Sequence, residues 1–269
     1  MPNVVFFTNL VPEITTLLTA SLPKDFSVQI HASDLPDEEK ITLVADADFI
    51  ILFPDKISDE VLQAAPKLKL IQLVSVGFDR MNLDLCRQRN IPVANNGGAN
   101  STDVAEHTLY LILGLYRRSL ELDYDVRHDQ WRRLDSGLTT YTIDGKTVGI
   151  VGFGQIGRKV TRLVQAFGAE VIYYDPYPPD IEVDQEMRVQ RASLPDLLKQ
   201  ADVVSLHVPL NDDTRHLISK DELSLMKESA ILINTCRGPI VDEFALTMAL
   251  DKNEIAGAGL DVLEQEPPD

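Results

Sequence analysis

Short apolar runs alternate with amphipathic stretches along the whole chain. Up to residue 98 the runs are Val4–Phe7, Phe26–Ile30, Phe49–Phe53 and Leu70–Val74, and they predict strands with helices between them. Pro12, Pro36 and Ser58 stand where those helices should begin, the last followed by Asp59 and Glu60 in the first turn. A further short strand, Pro92–Ala94, runs into NNGGANS, whose turn formers mark a domain boundary. The expectation is a small parallel sheet covered by helices over residues 1–98 and a second domain over residues 99–269.

Past that boundary, Asn100 or Ser101 is expected to cap a long helix with Asp103 and Glu106 in its first turns. Leu109, Leu111, Ile112, Leu113 and Leu115 nearly encircle it, which calls for cover from both domains or from a second subunit. The polar segment with scattered aromatics that follows this helix, through RHDQWRR to LTTYTIDG, reads as an arm around a partner or as a surface excursion. Downstream, Val183–Arg191 reads as irregular and charged, and Ser193 as the cap of a short helix. Asp202–Leu206 reads as a strand and HVPLNDDTRHLI as a loop. Ser219 and Glu222 form a capping box, Ala230–Ile233 is a strand ending in NTCRGP, a helix runs through Leu250, and Ile255–Val262 closes the chain as a strand. The fold class is therefore α/β, with two doubly wound parallel sheets.

The most informative stretch is VGIVGFGQIGRKV. Val148, Ile150 and Val151 read as a buried strand, and helical spacing runs from Arg158 to Phe167, so the glycines fall on the turn between them. Gly152 permits a tight turn, Gly154 lets backbone approach a diphosphate, and Gly157 lets helix pack on strand. The amides of the first turn, which holds Gln155 and Ile156, then face the anion with the helix dipole behind them. A second strand, Val171–Tyr174, ends at Asp175, where a carboxylate can accept hydrogen bonds from an adenosine ribose. No Lys or Arg occurs between Asp175 and Met187 to offset a 2′-phosphate, which favours NAD over NADP.

Composition narrows the function further. The 269 residues are 44% apolar and 25% charged, the profile of a soluble globular protein. A formal charge of −17 argues against nucleic acid or an anionic membrane as partner. Cys86 and Cys236 are far apart and match no metal spacing, which fits a reducing compartment and a cytoplasmic location. The N-terminus, strand-like almost at once and without a basic stretch, reads as carrying no signal peptide, and LYLILGLY is too short to span a bilayer. At the end of the fourth strand, in LVSVGFDRMN, Gly77 leaves the N–H groups of Val76 and Gly77 reachable by a small anion, although a strand-to-helix turn that merely needs a glycine would look the same.

VSVGFDRMN, GANSTDVAEHTL, GKTVGIVGFGQIGRKV, ADVVSLHVPLNDDTRHLI, LINTCRGPIVDE and AGAGLDVLEQEPP occur in this order over essentially the whole chain. Together they resemble the D-isomer-specific 2-hydroxyacid dehydrogenase family. The resemblance implies a flavodoxin-like substrate domain, a Rossmann NAD-binding domain, and a substrate held between them. Arg237 then grips the carboxylate and 2-oxygen of a small 2-hydroxy or 2-oxo acid of the glyoxylate, hydroxypyruvate or 3-phosphoglycerate type, with the backbone of Val76 and Gly77 as the other half of the clamp. Glu266 matches the carboxylate that supports the catalytic histidine. Asp261 matches the acid near the nicotinamide carboxamide. His207, Val208, Pro209, Thr214, Thr102 and the backbone at Cys236 match the cofactor cleft, and a homodimer is implied through the long helix and the arm.

In the family the histidine that partners this glutamate stands further along than the position of Asp269, and none of His31, His107, His128, His207 and His216 matches it. Three readings stay open: an NAD-dependent dehydrogenase whose natural chain continues, an NAD(H)-binding sensor or corepressor-like module without turnover, and a formate or phosphite dehydrogenase of the same fold. Retention of Arg237 and Glu266 favours the first.

Overall fold

The computed structural model describes residues 1–131 and 136–268, and the chain divides into two compact units, Met1–Ala99 and Asn100–Asp269, at the end of the NNGGA segment. The first unit runs β1 (Asn3–Thr8), α1 (Pro12–Thr19), β2 (Ser27–His31), α2 (Asp37–Val44), β3 (Phe49–Phe53), α3 (Asp59–Gln63), β4 (Leu70–Leu73), α4 (Leu83–Gln88) and β5 (Val93–Ala94). Every strand pair is parallel and the order is β2-β1-β3-β4-β5, the flavodoxin-like arrangement. The runs Val4–Phe7 and Phe49–Leu52 lie in the middle of that sheet, where Val5, Phe7, Ile50 and Leu52 pack on Val61 and Leu62 of α3. Pro12 opens α1, and the Ser58 and Asn82 side chains accept from the Val61 and Leu85 N–H groups to cap α3 and α4.

The second unit opens with α5 (Ser101–Tyr116), α6 (Ser119–Arg127) and a 3-10 turn at Ser136–Leu138. Then come β6 (Thr147–Val151), α7 (Gln155–Ala166), β7 (Glu170–Tyr174), α8 (Ile181–Met187), β8 (Gln190–Arg191), α9 (Leu194–Gln200) and β9 (Val203–Leu206). The unit closes with α10 (Lys220–Leu225), β10 (Ile231–Asn234), α11 (Glu243–Asp251) and β11 (Gly257–Leu260). All its pairs are parallel, in the order β11-β10-β9-β6-β7-β8. Counted from β6 that is the 3-2-1-4-5-6 order of a Rossmann sheet, with its switch point between β6 and β9.

Two expectations need correction. Asn100 does precede α5, but its side chain makes no capping hydrogen bond, and Ser101 is already helical and buried. Within the chain, α5 is buried along one stripe, Ser101, Ala105, Thr108, Ile112 and Tyr116, where it packs on α7 and the sheet; Leu109, Leu111, Leu113 and Leu115 stay half-buried and Tyr110 is exposed. Val183–Arg191 is not irregular: it supplies most of α8 and all of β8. Its charges misled because one of them is a core residue. Asp184 is buried, accepts the Tyr173 hydroxyl at 2.7 Å and pairs with Arg191, so this acid serves the inner face of its helix. The segment read as an arm or excursion includes residues 132–135, which lie outside the described residues; its described part holds α6, a helix that the polar pattern did not announce.

Candidate functional site

β6 delivers the chain to the switch point, and the turn into α7 is set by three glycines with three different duties. Gly152 has φ +95°, donates its N–H to the Tyr174 carbonyl at 2.8 Å, and leaves no room for a β-carbon, which would lie 2.5 Å from the His207 carbonyl oxygen. Gly157 brings α7 down on the turn, for a β-carbon there would fall 2.2 Å from the Gly152 carbonyl oxygen. Gly154, the N-cap of α7, is the opposite case: nothing lies within 4 Å of the position its β-carbon would take. The exposed space before Gly154 and Gln155 is faced by first-turn amides, Ile156 among them, that have no carbonyl partner within the helix. This cradle fits a diphosphate.

Asp175, directly after β7, is tied to that turn. One of its oxygens accepts from the Phe153 N–H at 2.7 Å and the other from the Tyr177 N–H at 2.8 Å. Each keeps a lone pair for a further donor such as a ribose hydroxyl. Phe153 is buried and stacked on Tyr173, 4.0 Å between ring centroids, so the carboxylate hangs from a rigid base. Arg158, which sequence reasoning did not single out, donates from Nε to the Phe153 carbonyl at 3.0 Å and braces the same residue. Its signal was only its place, one residue after the third glycine.

The end of β9 closes the other side of the switch point. His207 donates its N–H to the Val151 carbonyl at 2.7 Å, extending the ladder past the last strand residue, and its Nε2 lies 2.9 Å from the Ser205 hydroxyl. Nδ1 is shut away without a hydrogen-bond partner among the described residues. Burial pushes the imidazole down to about 3, so the ring is neutral at physiological pH and is no proton carrier there. Val208 is buried and Pro209 exposed. The Thr214 hydroxyl donates to the Pro209 carbonyl at 2.7 Å and accepts from the Asn211 N–H at 2.8 Å, which fastens the loop into shape. Thr102, on the first turn of α5, accepts from Lys159 Nζ of α7 at 2.6 Å.

At the ends of β10 and β11 one buried residue organises the rest. Asn234 donates from Nδ2 to the Arg237 carbonyl at 2.9 Å, while its Oδ1 accepts the Cys236 N–H at 3.1 Å and the Cys236 thiol at 3.0 Å. Sequence reasoning passed over Asn234, although a polar side chain ending a buried strand was the signal. Arg237 is half-buried, and its Nη1 donates to the Cys236 carbonyl at 2.7 Å. Burial lifts the Cys236 thiol to about 11, so it is no thiolate nucleophile. Asp261 donates its N–H to the Asn234 carbonyl at 3.0 Å, and its carboxylate lies 3.3 Å from Nε2 of His107, a contact that sequence reasoning did not foresee. Arg237 and Asp261 are thus joined through Asn234. Glu266 is exposed and accepts from the Leu263 N–H at 3.0 Å; no histidine ring nitrogen reaches it among the described residues.

In the first unit, the loop after β4 holds Val76 and Gly77 at the carboxyl end of a parallel strand. Ser75 Oγ donates to the Gly77 carbonyl at 2.8 Å and Asn95 Nδ2 to the Val76 carbonyl at 2.6 Å. The N–H groups of Val76 and Gly77 meet no acceptor among the described residues, which is what an anion-binding loop requires.

The model of the family described as D-isomer specific 2-hydroxyacid dehydrogenase, NAD binding domain, matches residues 109–269. A glyoxylate reductase of Aeropyrum pernix is 38% identical over 272 residues, covering 99% of this chain and 80% of that protein. A D-3-phosphoglycerate dehydrogenase of Methanocaldococcus jannaschii is 38% identical over 240 residues, covering 88% of this chain and 45% of that protein. Among solved structures, D-lactate dehydrogenase from Aquifex aeolicus, complexed with NAD and lactic acid, superposes with a TM-score of 0.87 at 36% identity, covering 98% of this chain and 78% of that one.

Proposed function

Since the chain belongs to the D-isomer-specific 2-hydroxyacid dehydrogenase family, we propose that it transfers a hydride between the nicotinamide of NAD and C2 of a small D-2-hydroxy acid or its 2-oxo acid, of the glyoxylate, hydroxypyruvate or 3-phosphoglycerate type. The observation that carries this reading is the glycine turn at the switch point, closed by packing at Gly152 and Gly157, open at Gly154, and joined to a pinned Asp175. NAD, when bound, supplies the hydride acceptor or donor. We assign its diphosphate to the amides around Gly154, Gln155, Ile156 and Gly157, its ribose to Asp175, and its carboxamide to Asp261. His207, Val208, Pro209, Thr214, Thr102 and the Cys236 backbone are assigned to the surrounding wall.

Arg237 is assigned to the substrate carboxylate, as are the Val76 and Gly77 amides. In a chain with a formal charge of −17, an anionic substrate needs such local donors to be held at all. A planar, always-charged fork gripping the carboxylate also fixes where C2 sits, and that positioning is the larger part of what these residues contribute to rate. Glu266 is assigned to support proton transfer at the 2-oxygen.

The test is NADH oxidation followed by absorbance with glyoxylate, hydroxypyruvate and 3-phosphohydroxypyruvate. Turnover of at least one is expected, and turnover unaffected by Arg237→Ala would refute the clamp. A homodimer is part of the proposal: Leu120, Tyr124 and Val126 of α6, with Trp131 and Leu138 after it, are exposed apolar residues, Leu120 80% and Trp131 76% exposed. So is a cytoplasmic location, supported by the free thiols Cys86 and Cys236.

A further inference from the structure

Glu266 sits on a turn after β11, and the question left open is what holds that turn. Its seat is the residue after the substrate arginine: a β-carbon on Gly238 would lie 2.0 Å from both the carbonyl carbon and the carbonyl oxygen of Leu263 and 2.4 Å from the Glu264 nitrogen. Backbone therefore lies on backbone there, with no side chain between. The segment that passes on the other side, through His216, is laced to the same stretch. The His216 N–H donates to the Pro239 carbonyl at 2.8 Å, the Ile218 N–H to the Ile240 carbonyl at 3.1 Å and the Asp242 N–H to the Ile218 carbonyl at 3.0 Å, with a parallel bridge between Ile218 and Val241. His216 is left-handed at φ +51°, a conformation that turns its side chain away from the run of an extended ladder and that histidine adopts more readily than most residues.

From that fixed backbone the imidazole reaches Glu264, with Nε2 2.7 Å from Oε1. Glu264 in turn donates its N–H to Glu243 Oε1 at 2.5 Å. The Glu264 and Asp242 carboxylates thus lie near the imidazole, while Glu243 holds the Glu264 N–H. The Asp242 carboxyl is held below the usual carboxylate range, first by the Ala245 N–H and, among lesser causes, by the nearby His216. On the reading that Glu266 serves hydride transfer, we propose that His216 is a positioning residue: by gripping Glu264 it pins the Leu263–Glu266 turn onto the Arg237–Gly238 backbone and so sets the Glu266 carboxylate in register with the arginine.

The pair is a poor source of stability. His216 and Glu264 keep 44% and 35% of their side-chain surface exposed, and an ion pair in that setting contributes little to folding. The ladder from His216 to Asp242 is made by main chain and survives truncation of the imidazole. A residue that stabilises little yet joins a catalytic turn to its neighbour acts through placement, and displacement of about 1 Å can cost up to about 100-fold in rate.

The test compares the full chain with His216→Ala, Glu264→Gln and the double variant. Hydrogen exchange over residues 262–266 is read by mass spectrometry, together with kcat and KM for glyoxylate and NADH. Each single variant is expected to speed exchange of the turn about tenfold. Each should lower kcat about tenfold while KM for NADH changes less than about twofold. The double variant should be no worse than either single one, since one contact is lost in all three. Unchanged exchange, or additive losses in the double variant, overturns the proposal. A wild-type chain that reduces none of the acids counts against the oxidoreductase reading instead, and the exchange arm then still decides whether His216 holds the turn.

Discussion

Two loops in this protein leave the carboxyl end of a parallel strand and, on the proposed function, offer backbone amides to an anion, and they are built in opposite ways. The turn after β6 is made by exclusion. Gly152 and Gly157 sit where a β-carbon would meet main-chain oxygen at 2.5 Å and 2.2 Å, and a twelve-residue helix with its dipole stands behind them. The loop after β4 is made by attachment, with Ser75 and Asn95 side chains each holding one carbonyl so that the Val76 and Gly77 amides point free. Close packing admits almost no variation, which suits a site for an invariant cofactor. Side-chain tethers can be exchanged one at a time, which suits a loop whose ligand differs from relative to relative.

The contrast can be broken hardest at Gly157. Gly157→Ala should cost about 3 kcal/mol, because the added carbon meets backbone that has nowhere to move. Denaturant unfolding measures this, and a variant as stable as wild type would show that the turn is looser than drawn. Arg237→Ala comes next: losing a charge-assisted, bidentate grip should lower kcat/KM for glyoxylate about 100-fold and leave NADH affinity within about threefold.

A pH effect tests the packing beside the turn. His207 falls to about 3 in the folded chain. An unfolded histidine titrates near ~6.5. Above both values neither state holds the proton. As pH falls between them the unfolded chain binds a proton that the folded one refuses, so stability drops by about 1.4 kcal/mol per pH unit. Between pH 6.5 and 5 wild type should lose about 2 kcal/mol more than His207→Gln, as read by urea unfolding. Equal slopes would mean that the ring is not sealed in. The smallest effect belongs to the tethered loop: Asn95→Ala should raise KM for the acid about fivefold with kcat nearly unchanged, the worth of one hydrogen bond.

What the sequence revealed follows the same division. The glycine turn was legible because its chemistry is written in residue types and spacing: only glycine fits at Gly152 and Gly157, and Asp175 ends the strand beside them. The strands of both sheets other than β8 were legible as apolar runs, within a residue or two at their ends. What stayed hidden depends on contacts made across the sequence. Asp184 was one charge in a stretch read as irregular, and only its contacts with Tyr173 and Arg191 show it as a core residue. Asn234 looked like the edge of a loop, yet it holds Cys236 and Arg237 in shape. His107 and His216 carried no local sign of their partners, Asp261 and Glu264, which lie far along the chain. The two loops differ in this respect too, since nothing near Val76 foretold that Asn95 would reach its carbonyl.

The most direct test is Gly154→Ala. At this glycine the structure leaves room for a β-carbon, so folding should be untouched and the melting temperature should stay within about 1 °C of wild type. The same carbon would stand where a diphosphate must meet the helix amides, and NADH affinity, read by fluorescence titration, should fall at least about 30-fold. NADH binding as tight as wild type in that variant would contradict the account, because the cofactor would then lie somewhere other than against this turn.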